Sequence, residues 1–160
     1  MGKKEQGFTL IEVMVVSMII GILTAVAIPN FVSAQDRARI ADVKSNMHVF
    51  RTSVETYAVD YGGLYPENVE QLHSEASNPE SRYWQEILNP FTKLPGETEA
   101  YRTLSSSPDA SGQQAEITPG VVAYIRYALD QAAPYAIYGG GKAPQRALLE
   151  HGEVFILSNR

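Results

Sequence analysis

Residues 7–31 read GFTLIEVMVVSMIIGILTAVAIPNF, from Gly7 to Phe31, and Glu12 is the only charged side chain among them. The next charge along the chain is Asp36. As a helix, Phe8–Phe31 would be about 36 Å long at about 1.5 Å per residue, enough to cross a hydrocarbon core of roughly 30 Å. Leu10, Ile11, Val13, Met14, Val15, Val16, Met18, Ile19 and Ile20 leave it no polar face, so it requires lipid or other apolar helices around it. Glu12 stands at the mouth of this run, where a lone carboxylate is a costly placement that calls for a partner.

Three readings fit the run on these grounds. One is a single-span anchor. Another is a secretory signal peptide, with Lys3 and Lys4 as the basic region, Val13–Thr24 as the apolar region and Ala25-Val26-Ala27 as a small-residue cleavage site. The third takes Gly7 and Glu12 together. Gly7-Phe8-Thr9-Leu10-Ile11-Glu12 resembles the processing motif of type IV pilins and type II secretion pseudopilins, residue by residue to about Phe31 and more loosely to Tyr65.

That resemblance implies a prepilin peptidase that cuts between Gly7 and Phe8 and N-methylates Phe8. The new cationic amine of one subunit would then meet Glu12 of another in an assembly salt bridge. Pairing removes much of the penalty on a carboxylate in a greasy bundle, so the charge sets register along a featureless rod. An intrahelical pair between Phe8 and Glu12, one turn apart, is the plainer use. Pro29 lacks an N–H and leaves the Ala25 carbonyl without its usual donor, while Gly21 adds backbone freedom. The resemblance implies a helix break between Gly21 and Pro29 when subunits pack; a static bend at Pro29 alone is the alternative.

Beyond Phe31 the period changes. Ile40, Val43, Met47, Phe50, Val54, Tyr57 and Tyr61 recur at alternating intervals of three and four, which predicts an amphipathic helix with one face on a sheet. Gly62-Gly63 should stop it. A rod from Phe8 to Tyr61 would be about 80 Å long, a stem in its first half and part of a head in its second. Gly63-Leu64-Tyr65-Pro66 reads as a turn, residues 67–75 as a short helix with Val69 and Leu72 inward, and residues 82–88 as another around Trp84 and Ile87. Asn89–Thr92 and Leu94–Gly96 are turns, and residues 103–120 form a loop, expected to be the most mobile part.

Strands are expected at Val121–Asp130, Tyr135–Tyr138 and Glu153–Leu157. In the first, Val121, Ala123, Ile125, Tyr127 and Leu129 alternate with Tyr124, Arg126 and Asp130, as in a sheet with one face on the helix and one in water. The fold class is therefore α+β: a long N-terminal helix on a small antiparallel sheet. Its parts are a leader at 1–7, a transmembrane and filament-core helix at 8–35 and a pilin-like head at 36–160.

The 160 residues suffice for one ordinary domain, and the absence of cysteine excludes disulfides, thiolate metal sites and cysteine nucleophiles. A pI near 5.2 argues against a basic nucleic-acid-binding surface. His48, His73 and His151 have no metal-ligand spacing, and Gly139-Gly140-Gly141-Lys142 lacks the phosphate-loop pattern and reads as a flexible turn. Glu97 with Glu99, or Glu67 with Glu70, are chance acidic neighbours. No catalytic, cofactor-binding or metal residue is assigned, and no enzyme is expected. Major pseudopilins carry a calcium site between their last strands; here Asp130, Glu150 and Glu153 lack the aspartate-rich pattern, and the metal is not carried over.

The expected function is a structural subunit, most simply the G-type pseudopilin of a type II secretion system. A type IV pilus subunit for adhesion, motility or DNA uptake is the nearest alternative. A signal-peptide-cleaved periplasmic binding module and an anchored domain that never polymerises stand further off. The resemblance implies a homo-oligomeric helical filament, minor pilins or pseudopilins, the prepilin peptidase, a platform protein and an assembly ATPase. It implies residence in the bacterial inner membrane before assembly and in a periplasmic or extracellular filament afterwards. Loss of the leader would change the formal charge from −5 to about −6, because Lys3, Lys4 and Glu5 depart.

Overall fold

The computed structural model describes residues 7–127 and 134–159. Lys3, Lys4, Glu5, Leu129 and Asp130, all invoked above, lie outside the described residues. The chain divides into two compact units, Met1–Arg37 and Ala38–Arg160. The expected stripe and the expected apolar run belong to one helical element, α1, Leu10–Asp60. Its C-terminus is closed by two glycines in the left-handed region, Gly62 (φ 67°) and Gly63 (φ 93°). Gly63 N–H donates to the Ala58 carbonyl at 2.6 Å and Tyr61 N–H to that of Tyr57 at 3.0 Å, so the last orphan carbonyls are satisfied.

Within the second unit, α1 buries Val43, Met47, Phe50, Val54 and Tyr57 as the spacing predicts, together with Ser53 and Ala58. Ile40 is partly buried at the start of the stripe. Tyr61, expected inward, is 40% exposed; its ring stacks on Tyr57 at 4.2 Å and its hydroxyl donates to Glu75 at 2.7 Å. The short helix α2 spans Val69–Ala76 and turns Val69 and Leu72 inward as expected. Asn68 caps it by accepting from Gln71 N–H at 2.8 Å.

No helix forms at 82–88. Seven residues nucleate poorly on their own, and tertiary partners claim this stretch instead. Trp84 N–H donates to Ala76 O at 3.1 Å, its ring packs edge-on against Phe50 and Tyr101, and its indole N–H reaches Glu86 at 2.9 Å. Ile87 is buried without regular secondary structure.

Four short strands form the main sheet, in the order β1-β2-β3-β6: β1 Tyr101–Thr103, β2 Val122–Arg126, β3 Tyr135–Gly139 and β6 Ile156–Ser158. Between β3 and β6, β4 (Leu149–Glu150) and β5 (Glu153–Val154) make a separate two-stranded hairpin, so the expected strand 153–157 is broken at Phe155. β2–β3 and β3–β6 are antiparallel, while β1 runs parallel to β2, one departure from the all-antiparallel expectation.

The alternation in β2 points the other way from the expectation. Val122 and Tyr124 face α1 and join the core of Met47, Phe50 and Ile137, with the Tyr124 ring 6.1 Å from Phe50. Val121, Ala123 and Ile125 face away from α1, yet not into water: Leu104, Ile117, Ala136, Tyr138 and Ala147 cover them in a second core. The 103–120 loop supplies that cover. Sequence alternation marks two faces but does not say which is dry. Tyr124 tolerates its burial because its hydroxyl donates to the Pro66 carbonyl at 2.7 Å.

These tyrosines make the fold sensitive to alkali. Burial, aided by the Glu86 and Glu97 carboxylates, pushes the Tyr101 hydroxyl up to about 12, and burial also raises Tyr124. Burial, with Asp60 beside it, takes Tyr83 to about 12 as well. In the unfolded chain these groups release their protons near about pH 10. Their stabilisation is thus fully present below about pH 10 and is lost as pH rises toward about 12. Urea unfolding should show a level midpoint from about pH 7 to 9 and a falling one above about pH 10; a midpoint unchanged into that alkaline range contradicts the assignment.

Candidate functional site

The start of α1 is built by a reciprocal exchange that the residue pattern contained and the sequence reading above passed over. Thr9-Leu10-Ile11-Glu12 is a capping box. Thr9 N–H and Thr9 Oγ1 both donate to Glu12 Oε2, at 2.9 and 2.7 Å, and Glu12 N–H returns a bond to Thr9 Oγ1 at 3.3 Å. Glu12 is therefore held over the helix N-terminus, where the helix dipole also favours negative charge. Phe8, just before the cap, is 85% exposed. Gly7 precedes it with open space around its Cα.

Above the cap, every large apolar side chain from Leu10 to Val32 is exposed in the single chain. The helix is long and apolar enough to cross a membrane, with a mean hydropathy of 2.5 over its most apolar window. Its two hydroxyls turn back onto its own backbone: Ser17 donates to the Val13 carbonyl at 2.7 Å and Thr24 to that of Ile20 at 2.9 Å. α1 is helical through Gly21, and Pro29 lies inside it. The break expected between them concerns packed subunits, whereas this is a single chain.

Elsewhere the candidate chemistry is absorbed by structure. Gly139, Gly140 and Gly141 do not form a flexible turn. Gly140 N–H donates to Val121 O at 2.7 Å and Gly141 N–H to Arg146 O at 3.0 Å, so these amides are not available to cradle a phosphate. A Cβ on Gly140 would lie 1.9 Å from the Thr118 carbonyl oxygen, and one on Gly139 2.7 Å from Met47 and Val43; glycine is required here for close approach. His73 packs against Trp84, His48 lies on the exposed face of α1, and His151 sits in a turn. Glu67, Glu70, Glu97 and Glu99 are exposed. Glu150 accepts from the Lys44 ammonium at 2.6 Å. Among the described residues no group of three or more His, Cys, Asp or Glu is placed to hold a metal.

The functional geometry is therefore an exposed, wholly apolar helix headed by one fixed carboxylate directly after Gly7-Phe8. Residues 2–28 match the family model described as the prokaryotic N-terminal methylation motif. This N-terminal segment carries that motif and is similar to those of type IV pilins and type II secretion pseudopilins.

Among similar proteins, the type II secretion system core protein G of Pseudomonas aeruginosa is 31% identical to this chain over 86 residues, 51% of this chain and 60% of the relative. The type IV major pilin protein PilA of Myxococcus xanthus is 44% identical over 54 residues, 34% of this chain and 24% of the relative. The prepilin peptidase-dependent protein D of Escherichia coli is 44% identical over 61 residues, 38% of this chain and 42% of the relative. The chain thus spans between 24% and 60% of the length of these curated relatives. No solved structure matches it.

Proposed function

We propose that the chain is a structural subunit of a type IV pilus-like filament, and specifically of the pseudopilus of a type II secretion system. The observation that carries this reading is Glu12: one carboxylate, fixed by Thr9 at the head of an apolar helix that has no soluble face. A prepilin peptidase cuts after Gly7 and methylates the amine of Phe8. Each incoming subunit brings that amine to the Glu12 of a subunit already in place, and the α1 segments from Phe8 to about residue 35 bundle as the filament core. Gly21 and Pro29 allow the helix to loosen between them as the bundle closes. The subunit waits in the inner membrane, and the filament it joins is periplasmic or extracellular. A platform protein, an assembly ATPase and minor subunits act with it, and no catalytic role is assigned to the chain itself.

The secretion assignment is supported by the reach of the match to core protein G, 86 residues against 54 and 61 for the two pilin-type relatives. A pilus subunit is the second reading, supported by the higher identity, 44%, over the shorter stretch. Intact-mass measurement of the mature protein should give a chain that begins at Phe8 and carries one added methyl group. A mature chain that begins at Ile28, after Ala25-Val26-Ala27, would establish the secretory reading and remove the filament. In a strain lacking the protein, the pseudopilus reading expects enzymes retained in the periplasm with surface pili intact; the reverse pattern supports the pilus reading.

A further inference from the structure

The β4–β5 hairpin is poorly equipped to hold itself closed. It forms a sheet of its own, apart from the main one, and pairs Leu149 with Val154 and Glu150 with Glu153. Two-stranded ribbons are marginal in water at best, and this one is short and largely exposed. Its turn is His151 (φ 53°) and Gly152 (φ 88°), so a non-glycine residue is held in the left-handed region. Glu150 and Glu153 stand directly opposite each other, and like charges in that register destabilise a strand pair.

A side chain from outside the hairpin counters these terms. The Lys44 ammonium of α1 donates to Glu150 Oε1 at 2.6 Å and stands 4.6 Å over the ring of Phe155. Phe155 leaves the hairpin at its far end, where its N–H donates to Leu148 O at 2.9 Å and its ring rests against the core. One cation therefore grips both ends of the ribbon. The bond from Lys44 also holds the Glu150 carboxyl below its usual range, so the charge that Glu153 faces is present at neutral pH.

We infer that residues 149–155 are a strap that opens as a unit, and that Lys44 is its latch. Closed, the ammonium offsets the repulsion between Glu150 and Glu153 and pins Phe155 from above. With that charge removed, repulsion and the left-handed turn act in one direction, and the strap comes away from α1. The main sheet does not follow, because β2 and β3 are buried between the two cores and pair along their whole length. Local opening of this kind is confined to segments with few buried apolar contacts. The state of the strap is thus set by one side chain of α1.

Amide hydrogen exchange of the full-length chain in detergent micelles, read by mass spectrometry, tests this. Lys44→Met keeps most of the apolar length of the side chain and removes its charge. It should speed exchange across residues 149–155 about tenfold, the scale of one ion pair together with one cation–π contact, and leave residues 122–126 and 135–139 at the wild-type rate. Lys44→Arg keeps a cation over the ring and should stay protected. Lys44→Met combined with Glu153→Gln should recover most of the protection, because the repulsion leaves with the latch. Unchanged exchange in Lys44→Met overturns the latch. Acceleration shared equally by the strap and the main strands overturns opening as a unit. A combined variant as open as Lys44→Met alone overturns the part given to Glu153.

Discussion

Gly140→Ala is expected to lower the melting temperature of the head by at least about 10 °C, corresponding to more than about 3 kcal/mol. The added Cβ would overlap the Thr118 carbonyl oxygen at 1.9 Å and press on Gly120 N at 3.0 Å. Both obstacles are backbone atoms. Gly140 N–H and C=O meanwhile pair with Val121 and Gly120, so the strand cannot retreat without breaking the seam between the sheet and the 103–120 loop. Neighbouring residues provide the scale. At Gly139 the same methyl would meet side-chain atoms of Met47 and Val43, which can yield in part, and a smaller loss is expected. At Gly141 the nearest atom is 3.4 Å away, and alanine there should be close to neutral. Thermal unfolding of the three variants, followed by circular dichroism, checks the order. Equal effects at all three positions would mean that backbone flexibility, not close approach, is what glycine supplies.

Glu12→Gln is expected to leave processing and the helix start intact while abolishing filament assembly. The choice of glutamine matters because it separates the cap that the structure shows from the charge that the proposed assembly needs. As a partner of Thr9 it caps α1, and glutamine serves that position of a capping box as well as glutamate does. As a charge it would be, in the proposed filament, the counterion for the Phe8 amine of a neighbour, which glutamine cannot be. Intact mass reports cleavage and methylation, amide hydrogen exchange in the first turn reports the cap, and electron microscopy of sheared filaments reports assembly. Filaments from the glutamine variant at the wild-type level would reduce Glu12 to a helix cap. Thr9→Val is the complementary variant: it removes both Thr9 hydroxyl contacts, should speed exchange in the first turn, and keeps the charge and hence assembly.

Much of this was legible in the chain because periodicity and punctuation are local. The three–four stripe from Ile40 to Tyr57, the Gly62-Gly63 stop and the inward Val69 and Leu72 follow from neighbours in sequence. The misreadings came where distant residues decide. Trp84 is helical by local pattern yet lies outside any helix, because Phe50, Tyr101 and Ala76 claim it. Tyr124 reads as a solvent-facing tyrosine until Pro66, 58 residues away, accepts its hydroxyl. The three glycines at 139–141 carry no mark to distinguish a flexible turn from a strand end pressed against another chain segment. At the candidate site the residues were legible but one role was not: Glu12 was seen as a charge in search of a partner, and the local T-x-x-E pattern that pairs it with Thr9 was overlooked.

The hydroxyls of Ser17 and Thr24 have a consequence for how such a stem can change surroundings. Each already donates to a carbonyl one turn back, so neither asks anything of the medium. Passing from acyl chains to a bed of neighbouring helices then demands no new partner for either hydroxyl while the shaft stays helical, and any polar bond surrendered lies between Gly21 and Pro29, where the proposed loosening falls. In the proposed filament, the force that draws the subunit out would work against contact area and that short loosening, and the carboxylate at the tip would be the one charge to take a new partner on arrival.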